Sequence, residues 1–198
     1  MKKSPWIGVL VIVAVVLLGF AFFSGTYNQL VSAEEAVTSA WAQVENVYQR
    51  RLDLIPNLVE TVRGYAAHEN ETLQAVVEAR SNIAQMKLTR ESLSDPATLA
   101  KFEQLQQELT SSLSRLLVVV EKYPDLKANQ NFLALQSQLE GTENRITVER
   151  RRFNETAQNF NTKIRVFPNS VVAGWSGLSR KAYFAADQAA RVAPTVKF

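Results

Sequence analysis

The side chains best suited to chemistry in this chain are a histidine and two neighbouring glutamates, and their spacing excludes metal-dependent proteolysis. The segment His68-Glu69-Asn70-Glu71-Thr72 begins like the zinc-binding motif H-E-x-x-H, but Thr72 occupies its fifth position. The chain has one histidine and no cysteine. One chain therefore cannot form a two-histidine zinc site, a zinc finger, an iron–sulfur site or a disulfide. We expect no metal and no cofactor.

No other pattern in the chain indicates catalysis. A nucleophile elbow, G-x-S-x-G, is absent, and Gly174-Trp175-Ser176-Gly177 indicates a loop, since no phosphate-binding Lys-Ser/Thr follows it. Most carboxylates lie within helical reach of Lys or Arg, which is typical of solvated helix faces. We therefore predict that the protein is not an enzyme.

Two polar clusters interrupt apolar helical patterns, and we interpret them as a polar layer between helices. Their charged and amide residues, with Glu34 from the first helix, are Glu34, Arg50, Arg51, Asp53, Asn57, Glu143, Asn144 and Arg145. Our hypothesis pairs Arg51 with Glu143, and Asp53 or Glu34 with Arg145. The alternative is that these side chains extend into water and contribute only solubility. A half-formed layer is disfavoured, because an unpaired charge in a core is strongly destabilising.

The same residues offer a second interpretation, a surface that contacts other proteins. Exposed members of residues 50–57, including Arg50 and Asn57, would form this face together with His68 and Glu69 of residues 64–69. A third interpretation is a small-molecule sensor whose polar layer binds an anionic or amide ligand.

The elements that must position these residues are amphipathic helices. Apolar stripes at three- and four-residue steps run through residues 27–55, 58–83, 99–120 and 132–164, and Leu58 and Val62 open the second stripe. We expect the first helix to end or kink at Pro56, because a proline ring disfavours helical geometry before it. Asp95-Pro96 predicts a helix start, with Asp95 as the N-cap.

The stripes predict an all-α fold in which a transmembrane helix precedes an antiparallel up-and-down four-helix bundle. Proline lies at each boundary between stripes, at 56, 96 and 124, which favours folding back over a parallel coiled-coil rod. We expect residues 1–25 to form a cytoplasmic stub and anchor, 26–168 the bundle, and 169–198 a segment packed on the bundle end. In that segment Tyr183, Phe184 and the neighbouring alanines could form a short helix.

The anchor is the uncharged run of residues 6–23, which begins with Trp6 and ends with Phe23. As a helix it is about 27 Å long, close to the ~30 Å hydrocarbon thickness of a bilayer. It is longer than the usual signal-peptide core, and no A-x-A-like cleavage site follows it. We therefore favour a retained span that contacts membrane lipid over a cleaved signal peptide.

Charge predicts the orientation of this span. Lys2 and Lys3 are the only charges in the first 33 residues, which favours a cytoplasmic N-terminus and an extracytoplasmic bundle. The remaining residues carry 20 Lys and Arg against 19 Asp and Glu, so no basic face for nucleic acid is indicated. The sequence leaves a homo-oligomer open.

Several sequence blocks, occurring in order, resemble the LemA family of bacterial membrane proteins. The blocks are Y-N-Q-L-V at 27–31, residues 41–45, R-R-L-D-L-I-P-N-L-V at 50–59, G-Y-A-A-H-E at 64–69, Ala79-Arg80, E-K-Y-P-D-L-K-A at 121–128 and L-E-G-T-E-N-R-I at 139–146, followed by Arg151, Asn154, Asn161 and Phe167-Pro168. The resemblance implies one N-terminal span and an antiparallel four-helix bundle. It implies no agreed catalytic or ligand-binding residue.

For function, the resemblance implies a role in the bacterial cell membrane and envelope. One branch of the family is associated with magnetosome membranes, and some members occur near genes for membrane proteases. We expect a single-pass protein of the inner membrane that acts as an interaction or scaffold module for membrane or envelope proteins. The alternatives are a small-molecule sensor and an adaptor for a membrane protease.

Overall fold

A computed structural model describes residues 5–89 and 91–185, and in this part of the chain every regular element is helical. The helices are α1 (Pro5–Arg63), α2 (Asn70–Gln85), α3 (Pro96–Val120), α4 (Pro124–Lys127), α5 (Gln130–Lys163) and α6 (Asn169–Trp175), with a 3-10 turn at Glu91–Ser94. Four of them, α1, α2, α3 and α5, are long and pack side by side. The predicted all-α fold with a long apolar N-terminal helix is confirmed.

Neighbouring long helices of the bundle run in opposite directions. Along α1 and α5, Trp41 contacts Phe153 and Arg51 contacts Glu143, so one residue number falls as the other rises. The chain passes from α1 to α2 to α3 to α5, and α1 packs against both α2 and α5. This is the up-and-down order that short connections between helices favour.

Helix α1 continues without a break from the apolar segment into the bundle. Its 59 residues correspond to a length of about 90 Å. The side chains of residues 8–22 are all exposed, and the segment is long and apolar enough to cross a bilayer. Lys2 and Lys3, on which the predicted orientation rests, lie outside the described residues.

The expectation of a new helix after Pro56 is wrong, because α1 passes through Pro56 and ends at Arg63. Leu58 and Val62 lie on the buried face of α1 and continue it for two further turns. The break between the first two bundle helices lies instead at residues 64–69. Burial of this apolar face compensates for the backbone hydrogen bond that the helix loses at proline.

Helix α3 begins as predicted. The carboxylate of Asp95 accepts hydrogen bonds from the backbone N–H groups of Ala97 and Thr98, at 3.0 and 3.2 Å, and Pro96 is the first helical residue. The hydroxyl of Thr98 and these backbone N–H groups hold the pKa of Asp95 below its ordinary value. This N-cap fixes where α3 starts.

After α6 the chain turns back along α5 as a strap without regular secondary structure, residues 178–185, since Lys181, Phe184 and Ala185 contact Asn161, Asn154 and Arg150 in turn. Tyr183 and Phe184 belong to this strap, so the expectation of a short helix around them is wrong in the described residues. The ring of Phe184 stacks on Trp41 and meets Phe153 edge to face, with centroids 5.9 and 5.5 Å apart. Burial of this ring holds the strap on the core. The rest of the predicted C-terminal segment, residues 186–198, lies outside the described residues.

Candidate functional site

A cleft runs between α3 and α5, two long helices that make almost no close backbone contacts with each other. Residues of α1 form its floor. It contains two adjoining cavities of about 190 and 320 Å³, both lined by Arg51, Thr110 and Glu143. We call this region the α3/α5 cleft. It is the opening in the bundle closest to the predicted polar layer.

Arg51 is the centre of the cleft floor and is only 5% exposed. Its Nη1 lies 3.2 Å from Oε2 of Glu143, the pairing expected from the sequence, and its Nη2 donates a hydrogen bond of 2.7 Å to Oγ1 of Thr110. Burial lowers the pKa of Arg51, and the carboxylate of Glu143 opposes that change. Glu143 is half exposed, so the pair connects a buried cation to the mouth of the cleft.

Beside this ion pair lies a buried amide with unused hydrogen-bonding capacity. Gln106 is 6% exposed and lines the larger cavity. Neither its Nε2 nor its Oε1 has a hydrogen-bond partner in the described residues, and both atoms are buried. Leaving such a donor or acceptor unsatisfied costs about 1–3 kcal/mol. Gln106 therefore has a buried donor and a buried acceptor, beside the cavity, whose hydrogen bonds are not made within the described residues.

Two other side-chain amides of the bundle, those of Asn161 and Asn154, show how such a group binds a peptide backbone. Asn161 accepts a hydrogen bond from the N–H of Lys181 and donates one to the carbonyl of the same residue, both at 2.8 Å. Asn154 does the same for Phe184, at 2.9 and 3.0 Å. Each asparagine thus holds both backbone groups of one strap residue.

The spacing of these asparagines matches the geometry of an extended chain. Asn154 and Asn161 are seven residues apart, about 10.5 Å along a helix. Lys181 and Phe184 are three residues apart, about 10 Å in an extended strand. The same face of α5 thus binds two backbone positions of the strap that are three residues apart.

The smaller cavity supplies an apolar surface next to these polar groups. Leu58 of α1, Leu113 and Leu117 of α3, and Leu139 of α5 line it. Leu117 is 37% exposed, and Leu139 is half-buried. The cleft therefore combines a polar half around Arg51 with an apolar half nearer the end of the bundle that is distant from residues 6–23.

The strap reaches the polar edge of the cleft, opposite the apolar half. Nη2 of Arg150, on α5, contacts the carboxylate of Glu103, on α3. The same Nη2 donates a hydrogen bond of 3.2 Å to the carbonyl of Ala185. Oε2 of Glu103 accepts the N–H of Ala185 at 3.4 Å. Arg150 and Glu103 also line the larger cavity. The described strap thus ends where the cleft begins.

The second half of the predicted polar layer does not form. Glu34 accepts a hydrogen bond from Nζ of the buried Lys181 at 2.6 Å, and Asp53 accepts one from Nε2 of Gln49 at 2.7 Å. Neither carboxylate pairs with Arg145, so that expectation is wrong. Glu34 lies 17 residues before Arg51 on α1, about 25 Å away, while Arg145 is two residues from the partner of Arg51. Asp53 is exposed and points away from the cleft.

The other sequence-derived candidates lie outside the cleft. Arg50 and Asn57 are exposed on the outer face of α1, together with Asp53, and His68 is exposed in the turn after α1. Glu69 accepts a hydrogen bond of 3.2 Å from the hydroxyl of Tyr123. Burial, followed by this carboxylate, raises the pKa of Tyr123.

Asn144, adjacent to Glu143, is also exposed. Sequence reasoning assigned no site role to several residues that the structure brings to the cleft or the strap: Tyr48, Glu103, Gln106, Thr110, Arg150, Asn154, Asn161 and Lys181. Gln106 had a usable signal, because it follows Phe102 by four residues and precedes Leu109 by three, which places a polar side chain on the apolar stripe of α3.

The chemistry available in the cleft is hydrogen bonding and apolar contact. Arg51 pairs with Glu143 and Arg150 with Glu103, so its charges are balanced. In residues 5–89 and 91–185 no group of three or more His, Cys, Asp or Glu residues is arranged to hold a metal ion. The site fits a ligand that offers amide groups and an apolar side chain.

Comparison with known proteins identifies the family. Residues 40–198 match the model of the LemA family. Protein LemA of Metamycoplasma hominis is 27% identical over 180 residues, which cover 90% of this chain and 78% of that protein. Magnetosome protein MamQ of Magnetospirillum gryphiswaldense is 27% identical over 178 residues, 80% of this chain and 64% of that protein. Magnetosome protein MamQ 2 of Paramagnetospirillum magneticum is 25% identical over 180 residues, with the same shares. The family match covers most of the bundle, and the chain belongs to the LemA family.

Proposed function

We propose that this protein is a non-enzymatic, single-pass interaction module of the bacterial inner membrane, and that its α3/α5 cleft binds an extended peptide segment of a partner protein. Residues 6–23 anchor it in the membrane, and Lys2 and Lys3 favour an extracytoplasmic bundle. The anchor confines the cleft near the lipid surface, which raises its effective concentration for other membrane or envelope proteins.

The observation that carries this proposal is the unpartnered side chain of Gln106. Within the same bundle Asn154 and Asn161 each bind the N–H and the carbonyl of one extended residue. Gln106 presents the same donor and acceptor with nothing bound to them. A peptide backbone can satisfy both atoms, since it offers a carbonyl and an N–H at adjacent positions.

The length of the cleft fits a short extended segment. Gln106 and Leu117 are eleven residues apart on α3, about 16 Å along the helix, which equals about five residues of extended chain. A segment bound to Gln106 would place an apolar side chain among Leu58, Leu113 and Leu139. We therefore expect the bound segment to carry at least one large apolar residue.

Site-specific photocrosslinking in intact cells tests the proposal. A photoreactive residue at Ser114, which is exposed and lines the cleft, is compared with one at Asn57, which is exposed on the outer face of α1. We expect a protein adduct from position 114 that is lost when Gln106→Leu is added, and none from position 57. Arg50→Glu, which alters only the outer face, should leave the adduct unchanged.

A second step tests the peptide chemistry. A synthetic peptide that covers the captured segment is titrated against the full-length protein in nanodiscs. N-methylation of the backbone amide that contacts Gln106 should weaken binding about fivefold, the equivalent of one hydrogen bond, and should have no effect on Gln106→Leu.

Three results would contradict the proposal. An adduct from position 57 alone would favour the outer face of α1, and an adduct from position 114 that persists in Gln106→Leu would remove the role of the amide. A small molecule retained by the wild type in native mass spectrometry, with no protein adduct, would favour the sensor alternative.

A further inference from the structure

The membrane end of the bundle, where α1 leaves toward residues 6–23, exposes large apolar side chains together with cations. We call this region the basal surface and define it by Lys163, Arg165, Val166, Phe167, Val171 and Trp175, which lie at the end of α5, in the following turn and on α6. Neither the predicted polar layer nor the α3/α5 cleft includes it.

The apolar part of this surface is unusually open to solvent. Phe167 is 83% exposed and Trp175 is 79% exposed, and Val166 and Val171 are each about half exposed. Single exposed apolar residues are common on proteins, but a group of four within ten residues indicates a surface that contacts something else.

Two observations show that the basal surface lies next to the end of the apolar run of α1. The rings of Trp175 and Phe23 lie 5.9 Å apart, and Phe23 ends the apolar run of α1. The register that pairs Arg51 with Glu143 puts Lys163 opposite residue 31 of α1, about 12 Å beyond Phe23 along the helix. The surface therefore extends from the end of the apolar run to about 12 Å beyond it along α1.

The segment that carries the basal surface has charges of one sign. Residues 156–185 contain no Asp or Glu, and three of their cations, Lys163, Arg165 and Arg180, are exposed. The fourth, Lys181, is buried against Glu34. On α1 the first acidic residues after the apolar run are Glu34 and Glu35. The exposed cations of the basal surface thus face no cluster of acids on their own segment.

We propose that the basal surface docks on the headgroup region of an anionic lipid bilayer, the same bilayer that holds α1. This inference rests on the membrane anchoring in the proposed function and is independent of the cleft. Tryptophan and phenylalanine partition to the interface between headgroups and acyl chains, and lysine and arginine bind anionic headgroups. Docking adds a second attachment point, which holds the bundle against the membrane and fixes the height of the cleft above it.

Spin labels in nanodiscs test the proposal, because the chain has no cysteine and each introduced cysteine is unique. Full-length Val171→Cys is labelled on the basal surface, Val118→Cys on the exposed face of α3, and Val13→Cys in the apolar segment. Accessibility to oxygen and to a water-soluble nickel complex is measured in nanodiscs that contain 30% phosphatidylglycerol or only phosphatidylcholine.

In anionic nanodiscs we expect the label at 171 to show a lipid-like ratio of oxygen to nickel accessibility, at least threefold above the label at 118. Lys163→Glu with Arg165→Glu, or neutral lipid, should return it toward the value at 118. A water-like accessibility ratio at position 171 in anionic nanodiscs would overturn the proposal. So would a lipid-like ratio that does not change when Lys163 and Arg165 are replaced by glutamate. The label at 13 separates this failure from a failure of anchoring, since it reports lipid depth only when α1 spans the bilayer.

Discussion

Arg80 of α2 donates a hydrogen bond of 2.9 Å from its Nε to the backbone carbonyl of Leu52 in α1. In a regular helix this carbonyl would accept the N–H of residue 56, but that residue is Pro56, which has none. The side chain from the next helix therefore replaces the donor that proline lacks. The contact explains how α1 continues through Pro56, and it fixes α2 against α1 at this height.

This contact predicts that the effect of an Arg80 substitution on stability depends on the residue at position 56. Arg80→Ala should destabilise the protein by about 1.5–3 kcal/mol, because it removes a charge-assisted hydrogen bond to a partly buried carbonyl. In a Pro56→Ala background residue 56 supplies its own N–H, so the loss should be smaller by at least about 1 kcal/mol. Denaturant unfolding of the four proteins in detergent, followed by circular dichroism, measures this coupling. Equal losses in the two backgrounds would show that Arg80 acts through packing alone.

Gln106→Leu should raise stability while it weakens peptide binding. The substitution replaces a buried amide with no partner by an apolar side chain of similar volume, and we expect a gain of about 1–3 kcal/mol in the free energy of unfolding. The measurement is denaturant unfolding of the full-length protein without ligand. A loss of stability would mean that the amide is already satisfied, which would remove the basis for assigning it to a ligand.

Asn161→Ala should release the strap from α5. The side chain of Asn161 makes three hydrogen bonds, two with the backbone of Lys181 and one with the hydroxyl of Tyr183. Their loss should destabilise the strap by about 2–4 kcal/mol and speed both hydrogen exchange at residue 181 and tryptic cleavage beside it. Asn144→Ala, an exposed asparagine of the same helix, is the control. Protection that stays at the wild-type level in Asn161→Ala would show that the ring of Phe184 holds the strap alone.

Because Tyr48 is buried, we expect the protein to lose stability at alkaline pH. Burial raises its pKa from 10.0 to about 12, while Arg150 and Arg51 act in the opposite direction. Because the folded value lies above the unfolded one, this contribution to stability is complete below pH 10 and is lost as pH rises toward 12, by about 2–3 kcal/mol. Tyr48→Phe should flatten the unfolding free energy between pH 10 and 12. An unchanged slope would place the alkaline sensitivity elsewhere.

The ion pair between Arg51 and Glu143 should appear as a coupling energy. Glu143→Leu leaves the buried guanidinium with Thr110 as its remaining partner and should destabilise the protein by about 1–3 kcal/mol. Arg51→Leu removes the buried charge itself, so the double substitution should cost less than the sum of the two single changes. Unfolding of the four variants measures this difference. Strictly additive losses would show that the pair contributes nothing to the layer.

The amino-acid sequence by itself determined the helices, the apolar segment and the start of α3. These features depend on local patterns, namely apolar residues at three- and four-residue steps, an uncharged run of 18 residues and Asp95 before Pro96. It also indicated that Arg51 needs a partner, since a charge on an apolar stripe must be paired or exposed.

Only the tertiary structure decided which groups meet. The expectation that a helix breaks at Pro56 considers only neighbouring residues. The hydrogen-bond donor to the carbonyl of Leu52 instead comes from α2, 28 residues later, and burial of Leu58 and Val62 keeps α1 continuous. Glu34 binds Lys181, 147 residues away, because the strap returns along α5, and no periodicity encodes that path. Pairing between distant charges follows from helix register and chain return, which are set by packing of the whole bundle and not by the neighbours of each residue in the sequence.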